Sequence, residues 1–137
     1  MKVRDIMSNP AVSITGEDTV CEAARIMQAH NIGVVPVTDD KNKVEGIITD
    51  RDIVLRTTST GKDACVVKVK DVMTTNVELV SPDDDISNIT QKMKDNKIRR
   101  FPVTQEGELV GMLSLGDIAS NAENKMEIAD AISEISR

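Results

Sequence analysis

The chain is short of most residue types that mark a catalyst, a metal protein or a membrane protein. In 137 residues there are one histidine, two cysteines and one aromatic residue, Phe101. No cysteine–histidine cluster has metal-ligand spacing, so neither a metal centre nor a catalytic cofactor is expected. With His30 alone, a surface or helix-end role is expected rather than a catalytic one. No apolar run approaches the ~18 residues of a membrane span, and the opening MKVRDIMSNP carries no signal-peptide core. The expectation is a cytoplasmic protein without membrane contact. An excess of positive charge is missing as well: 17 Lys and Arg face 23 Asp and Glu, for a net charge of −6. That disfavours nucleic acid and anionic membranes as partners, while leaving room for a local positive site that takes a small anion. Cys21 and Cys65, one in a helical pattern and one in a linker, are expected to be free thiols in a reducing compartment.

What the chain does have is repetition. VRDIM at 3–7 returns as VKDVM at 69–73, and PVT at 36–38 returns at 102–104. Val20 matches Ile86, Met27 matches Met93, and Gly46 aligns with Gly111 after a one-residue difference in the preceding turn. TDRDI at 49–53 then aligns with SLGDI at 114–118. Two copies therefore cover nearly the whole chain, with boundaries at 1–60 and 61–121 and a C-terminal helix at 122–137.

Each copy reads as β-α-β-β-α behind a short lead-in helix, an α+β (α/β) architecture of small sheets packed with helices. Thr15-Gly-Glu-Asp and Ser81-Pro-Asp-Asp offer hydroxyl N-caps with an acid three positions on, and Pro82 suits a first helical position. Val20, Ala23, Ala24 and Met27 form the apolar stripe of the first helix; Ile86, Ile89 and Met93 form that of the second. A copy of about 60 residues is marginal alone, so the two are expected to pack as one pseudo-twofold unit. In the C-terminal helix Met126, Ala129, Ile132 and Ser136 share one side, with Ile128 and Ile135 nearby. That helix either folds back on its own domain or meets a second chain.

The ordered set DIM…T…A…M…I…PV…G(I/M)(I/L)(T/S)xxDI, stated twice, resembles the cystathionine β-synthase (CBS) domain, and two in tandem resemble the CBS pair, or Bateman module. The resemblance covers about residues 1–120. It implies a regulatory binding module, not an enzyme. Such pairs hold an adenosine compound in clefts between the copies: AMP, ADP or ATP, or else S-adenosylmethionine, NAD or cyclic di-AMP. It also implies a homodimer, and an output that acts on a further protein target.

Residue chemistry supports this pattern at several points. A carboxylate accepts hydrogen bonds from both hydroxyls of a ribose, the role expected of Asp52 and Asp117. Thr49 and Ser114, three residues earlier, cap the same helices or bond a phosphate oxygen, and free amides at those helix ends add a preference for anions. The alternative for both aspartates is simple complementation of the helix dipole. An adenine slot is implied at Ser13, Ile14 and Val35 in the first copy and at Leu79, Val80 and Phe101 in the second. Phosphate is assigned first to Arg100 and then to Arg99, whose guanidinium forks suit its oxygens. Consecutive strand residues point to opposite faces, so both arginines serve one site only if Arg99 lies in the loop before the strand. Gly33 and Val34 stand in their places in the first copy, where Arg51, opposite Gly116 in the alignment, is the compensating candidate. The clefts are therefore expected to be unequal. Two other classes compete: a ligand-independent dimerisation scaffold, and an enzyme, a metal-assisted phosphatase using Asp50 and Asp52. The second lacks a nucleophile–base pair.

Overall fold

Runs of β-branched residues make the strands of the first copy, VVPVT and VEGIIT, whereas those of the second, RFPVTQ and ELVGMLS, mix them with other apolar residues. The computed structural model describes residues 1–8, 12–96, 98–120 and 125–135. In the first copy a short strand β1 (Ile14–Thr15) is followed by helix α1 (Val20–His30) and strands β2 (Val34–Thr38) and β3 (Val44–Thr49). β1 runs parallel to β2, which pairs antiparallel with β3. A short helix α2 (Asp50–Ile53) then continues into a π-helical turn, Val54–Thr58. The second copy gives α3 (Ile86–Asn96), the antiparallel pair β4 (Arg100–Gln105) and β5 (Glu108–Ser114), and α4 (Leu115–Ala119). Its expected leading strand shrinks to a single parallel bridge between Val80 and Val103. Glu78 and Leu79 are exposed and give that stretch no apolar face to extend.

The helical stripes bury Val20, Ala23 and Met27 in α1, and Ile86, Ile89 and Met93 in α3. Ala24 is exposed instead, because one step of about 100° from Ala23 carries it past the edge of the stripe. The expected helix starts are also displaced. Asp18 and Asp84 accept the amides of Thr15 (3.0 Å) and Ser81 (2.8 Å), closing turns rather than starting helices. The caps sit further on: Thr19 accepts from the Glu22 amide (3.3 Å), and Asp85 from the Ser87 amide (3.1 Å). Pro82 stands in that turn, and its carbonyl accepts the Arg4 amide at 3.0 Å. His30 is exposed at the end of α1, as expected.

The compact units cut the chain differently from its repeats. One comprises Met1–Ala11 with Glu78–Arg137, and the other Val12–Val77. Each lead-in, a single 3-10 turn at Val3–Asp5 or Val69–Asp71, thus completes the fold of the other copy. Val3 is fully buried among Ile86, Ile89, Met93, Phe101 and Leu113, while Val69 and Val72 are buried among Ile14, Val20, Val35 and Ile48. Backbone bridges fix the exchange: Ser8 pairs with Met112, and Thr74 with Ile47. The aligned glycines are explained here. A Cβ on Gly46 would meet the Thr74 carbonyl oxygen at 2.5 Å, and one on Gly111 the Ser8 carbonyl oxygen at 2.7 Å.

The thiol expectation is overturned: Cys21 and Cys65 form a disulfide, with Cα atoms 4.9 Å apart. Hydrogen bonds from the Val20 amide to the Val67 carbonyl (2.9 Å) and from the Cys21 amide to the Ala64 carbonyl (3.0 Å) bring the linker onto the start of α1. Forty-four residues apart, the two cysteines showed no pairing signal in sequence.

Glu17, in the turn before α1, is held by Lys68 and by Lys70 at 2.8 Å. The hydrogen bond from Lys68, then that from Lys70, lowers its pKa from 4.5 to about 2. A depressed carboxyl pKa stabilises the fold above the ordinary value, and that contribution fades as pH falls from about 4.5 towards 2. Glu17→Gln should therefore lower the melting temperature slightly at neutral pH. The gap from wild type should close by pH 2 and shrink in high salt, since the pair is exposed. Melting curves across that pH range check it; a gap that persists at pH 2 would assign the effect to something other than this charge.

Helix α5 (Lys125–Ile135), outside the repeat, folds back on α3 and α4. Lys94 pairs with Asp130, and Ile135 packs on the core. Ala129 and Ile132 are exposed. The side chains of Met126 and Ile128, and Ser136 altogether, lie outside the described residues. Among the described residues no helix is long and apolar enough to cross a membrane.

Candidate ligand site

Each copy closes on the same device. Thr49 and Ser114 are N-caps whose hydroxyls accept the amides of Asp52 and Asp117, both at 3.0 Å. The aspartates return the bond, accepting the amides of Thr49 (3.0 Å) and Ser114 (2.9 Å). These are capping boxes. The T/S-x-x-D unit is therefore structural in both copies, and what remains for a ligand differs between them.

Asp52 is buried, and both of its oxygens are engaged. The Thr74 hydroxyl donates to them at 3.1 and 3.2 Å, and Arg56 stands 3.6 Å from Oδ1. Arg56 also donates to the carbonyls of Val72 (3.0 Å) and Met73 (3.2 Å), which ties the lead-in to the carboxylate. Asp117 is only half-buried, and beyond the Ser114 amide it has no partner among the described residues. One carboxylate is spent on the fold; the other keeps an oxygen for something else.

The helix-end amides follow the same division. In α2 the Asp50 amide bonds the Gly33 carbonyl (3.0 Å), the Arg51 amide bonds Asp50 Oδ1 (2.9 Å), and the Asp52 amide bonds Thr49. All three are used, contrary to the expectation that they stay free for an anion. In α4 the Leu115 amide donates to the Arg99 carbonyl (2.8 Å) and that of Asp117 to Ser114, which leaves Gly116.

The arginines satisfy the condition set by strand alternation. β4 begins at Arg100, and Arg99 lies in the loop before it. Both line one cavity of about 430 Å³, together with Ser114, Leu115 and Gly116. That volume falls in the range of small-molecule sites. Both side chains are exposed, and neither guanidinium has a hydrogen-bond or ion-pair partner among the described residues. In the first copy the equivalent place is occupied by acid: the Asp50 carboxylate lies 2.9 Å from where a Cβ on Gly33 would be. Arg51 lines a separate hollow of about 360 Å³ with Asp50, Val54 and Leu55 in its own unit.

Of the adenine candidates, Ile14, Val35, Val80 and Phe101 are buried in the two cores, so their side chains are committed to packing and only their backbone is available. Ser13 is half-buried and Leu79 exposed; neither lines the arginine cavity. Sequence reasoning missed Ile132 and Ile135 of α5, which do line it. The helical periodicity of 125–135 could not say where that helix docks. Among the described residues no group of three or more His, Cys, Asp or Glu side chains is placed to hold a metal.

Two copies of one α/β unit, each closing on a hydroxyl–carboxylate box next to a strand entry, define a tandem-repeat module. The chain belongs to the CBS domain family, whose profile matches residues 3–57 and 69–124. CBS pairs are regulatory ligand-binding modules. The chain is 35% identical over 134 residues to the CBS domain-containing protein YhcV of Bacillus subtilis, covering 98% of this chain and 94% of that protein. It is 34% identical over 117 residues to Hypoxic response protein 1 of Mycobacterium tuberculosis, covering 85% of this chain and 81% of that one. The crystal structure of the CBS domain pair of protein MJ0100, in complex with 5-methylthioadenosine and S-adenosyl-L-methionine, superposes with a TM-score of 0.81 at 29% identity. That match covers 91% of this chain and 98% of that one.

Proposed function

We propose that this protein is a non-catalytic sensor that binds an adenine nucleotide of the AMP, ADP or ATP class, with the phosphates at Arg99 and Arg100. The observation that carries the reading is the pair of unpartnered guanidinium groups on one cavity wall, in a chain whose net charge is −6. Two forks without an ion-pair partner among the described residues form an anion site, and Ser114 beside them adds a hydroxyl. Asp117, with an oxygen to spare, is the candidate for the ribose hydroxyls. Asp52 is the weaker one, because a ligand would have to displace Thr74. The unit that holds the second copy is thus the phosphate site, and the unit that holds the first, with Asp50 against Gly33, repels phosphate.

The output runs through a homodimer, and exposed Val54 and Leu55 supply apolar surface for it. A second reading, an uncharged or sulfonium adenosine compound, is favoured by the ligands of the MJ0100 pair.

Thermal shift with AMP, ADP, ATP, S-adenosylmethionine, NAD and cyclic di-AMP separates these readings. A ligand at a hundred times its dissociation constant adds about 2.7 kcal/mol, enough to raise the midpoint by several degrees. Stabilisation by AMP, ADP or ATP is expected. A shift with S-adenosylmethionine alone would remove the phosphate role of the arginines. No shift with any of them, confirmed by calorimetry, would leave a ligand-independent scaffold.

A further inference from the structure

The arginine cavity has a wall that the repeat does not provide. Its lining includes Ile132 and Ile135 of α5, beyond the second copy. Ile135 is half-buried and packs on the core, whereas Ile132 is 48% exposed. A large aliphatic side chain left half in water on a cavity wall is an unused binding surface, because covering it with a ligand removes apolar area from solvent. The helix that carries it is held by the ion pair of Asp130 with Lys94 and by the seat of Ile135, among other contacts. Leu115 and Ala119 of α4 continue the apolar lining.

The geometry points to α5 as a selectivity element of the anion site. The cavity takes a phosphate monoester whose phosphate lies at Arg99 and Arg100 and whose organic part lies against Ile132. This rests on the phosphate reading above and extends it: the arginines hold any phosphate, and the C-terminal helix selects the phosphates that carry an apolar body. The charged end and the apolar end of the cavity come from different parts of the chain, so the two contributions separate by mutation. The hollow of the other unit, lined by Asp50, Arg51, Val54 and Leu55, draws its lining from within the repeat instead.

The test compares AMP with inorganic phosphate as probes, by calorimetry on the full chain. Ile132→Ser should weaken AMP about tenfold, the equivalent of burying part of one aliphatic side chain, and leave phosphate affinity unchanged. Ile132→Leu should restore AMP affinity to within about twofold. Asp130→Asn, which releases the ion pair with Lys94, should weaken AMP in the same direction while helical content stays the same. Equal weakening of AMP and phosphate by Ile132→Ser, or no weakening of either, would overturn the role of α5 even though the wild type binds AMP. No binding of either probe by the wild-type protein would instead remove the phosphate reading itself, and this inference with it.

Discussion

Replacing Arg99 and Arg100 together by alanine is expected to weaken AMP binding by about 10²–10⁴-fold while leaving the fold intact. A hydrogen bond to a charged group contributes about 1.5–3 kcal/mol, and each guanidinium would lose at least one such bond. The fold should be indifferent because both side chains are exposed and unpartnered among the described residues, so their removal strands no buried group. Adenosine, which lacks the phosphate, should bind the double variant and the wild type alike. Calorimetry with both ligands, with circular dichroism as the folding control, gives the answer. If AMP and adenosine weakened equally, the arginines would be acting on something other than the phosphate.

Phe101→Ala is expected to have the largest effect on stability, about 3–5 kcal/mol. Phe101 is the sole aromatic residue of the chain and is fully buried among Val80, Ile89, Met93 and Leu113. With no other ring in the core, the surrounding side chains are aliphatic, and they would have to move into a void the size of a phenyl group. Such a loss is a large share of the 5–15 kcal/mol that holds a typical domain together. The midpoint should fall by roughly 10–25 °C, and Phe101→Leu should recover much of it. Thermal denaturation of both variants measures this; a loss below about 1 kcal/mol would mean that the core collapses around the missing ring.

The two results bear on neighbouring residues with opposite tasks. Arg100 begins β4 exposed, and Phe101 follows it fully buried. Side-chain alternation along a strand makes that possible, since one step crosses the sheet. The same step assigns Phe101 to packing rather than to an adenine slot. The side chains of Val35 and Ile14 are lost to the first core for the same reason: apolar composition suits a pocket and a core equally, and only burial separates them.

Much of the design was legible from spacing. The duplication, the stripes Val20/Ala23/Met27 and Ile86/Ile89/Met93, the hairpin strands, and the hydroxyl caps at Thr49 and Ser114 are local features whose period or spacing shows along the chain. The sequence difference between the copies, Gly33 and Val34 against Arg99 and Arg100, is visible in the same way. The placement of Arg99 before the strand could be posed as a condition but not answered, because strand ends depend on pairing, and Arg100 pairs with Ser114.

What tertiary structure alone decided is where each segment goes. Val3 and Val69 occupy matching positions in the repeat, yet each is buried in the unit formed by the other copy. A three-residue turn carries no record of which core it will join. The bond between Cys21 and Cys65 follows from the linker lying on α1, and the spending of Asp52 on Thr74 and Arg56 follows from Thr74 pairing with Ile47 of β3. The docking of α5 beside the arginines is set by Ile135 and Asp130 finding the core and Lys94. Sequence determined the elements and their chemistry, which are local; proximity between distant segments, set by packing, determined which of those chemistries remain free to bind.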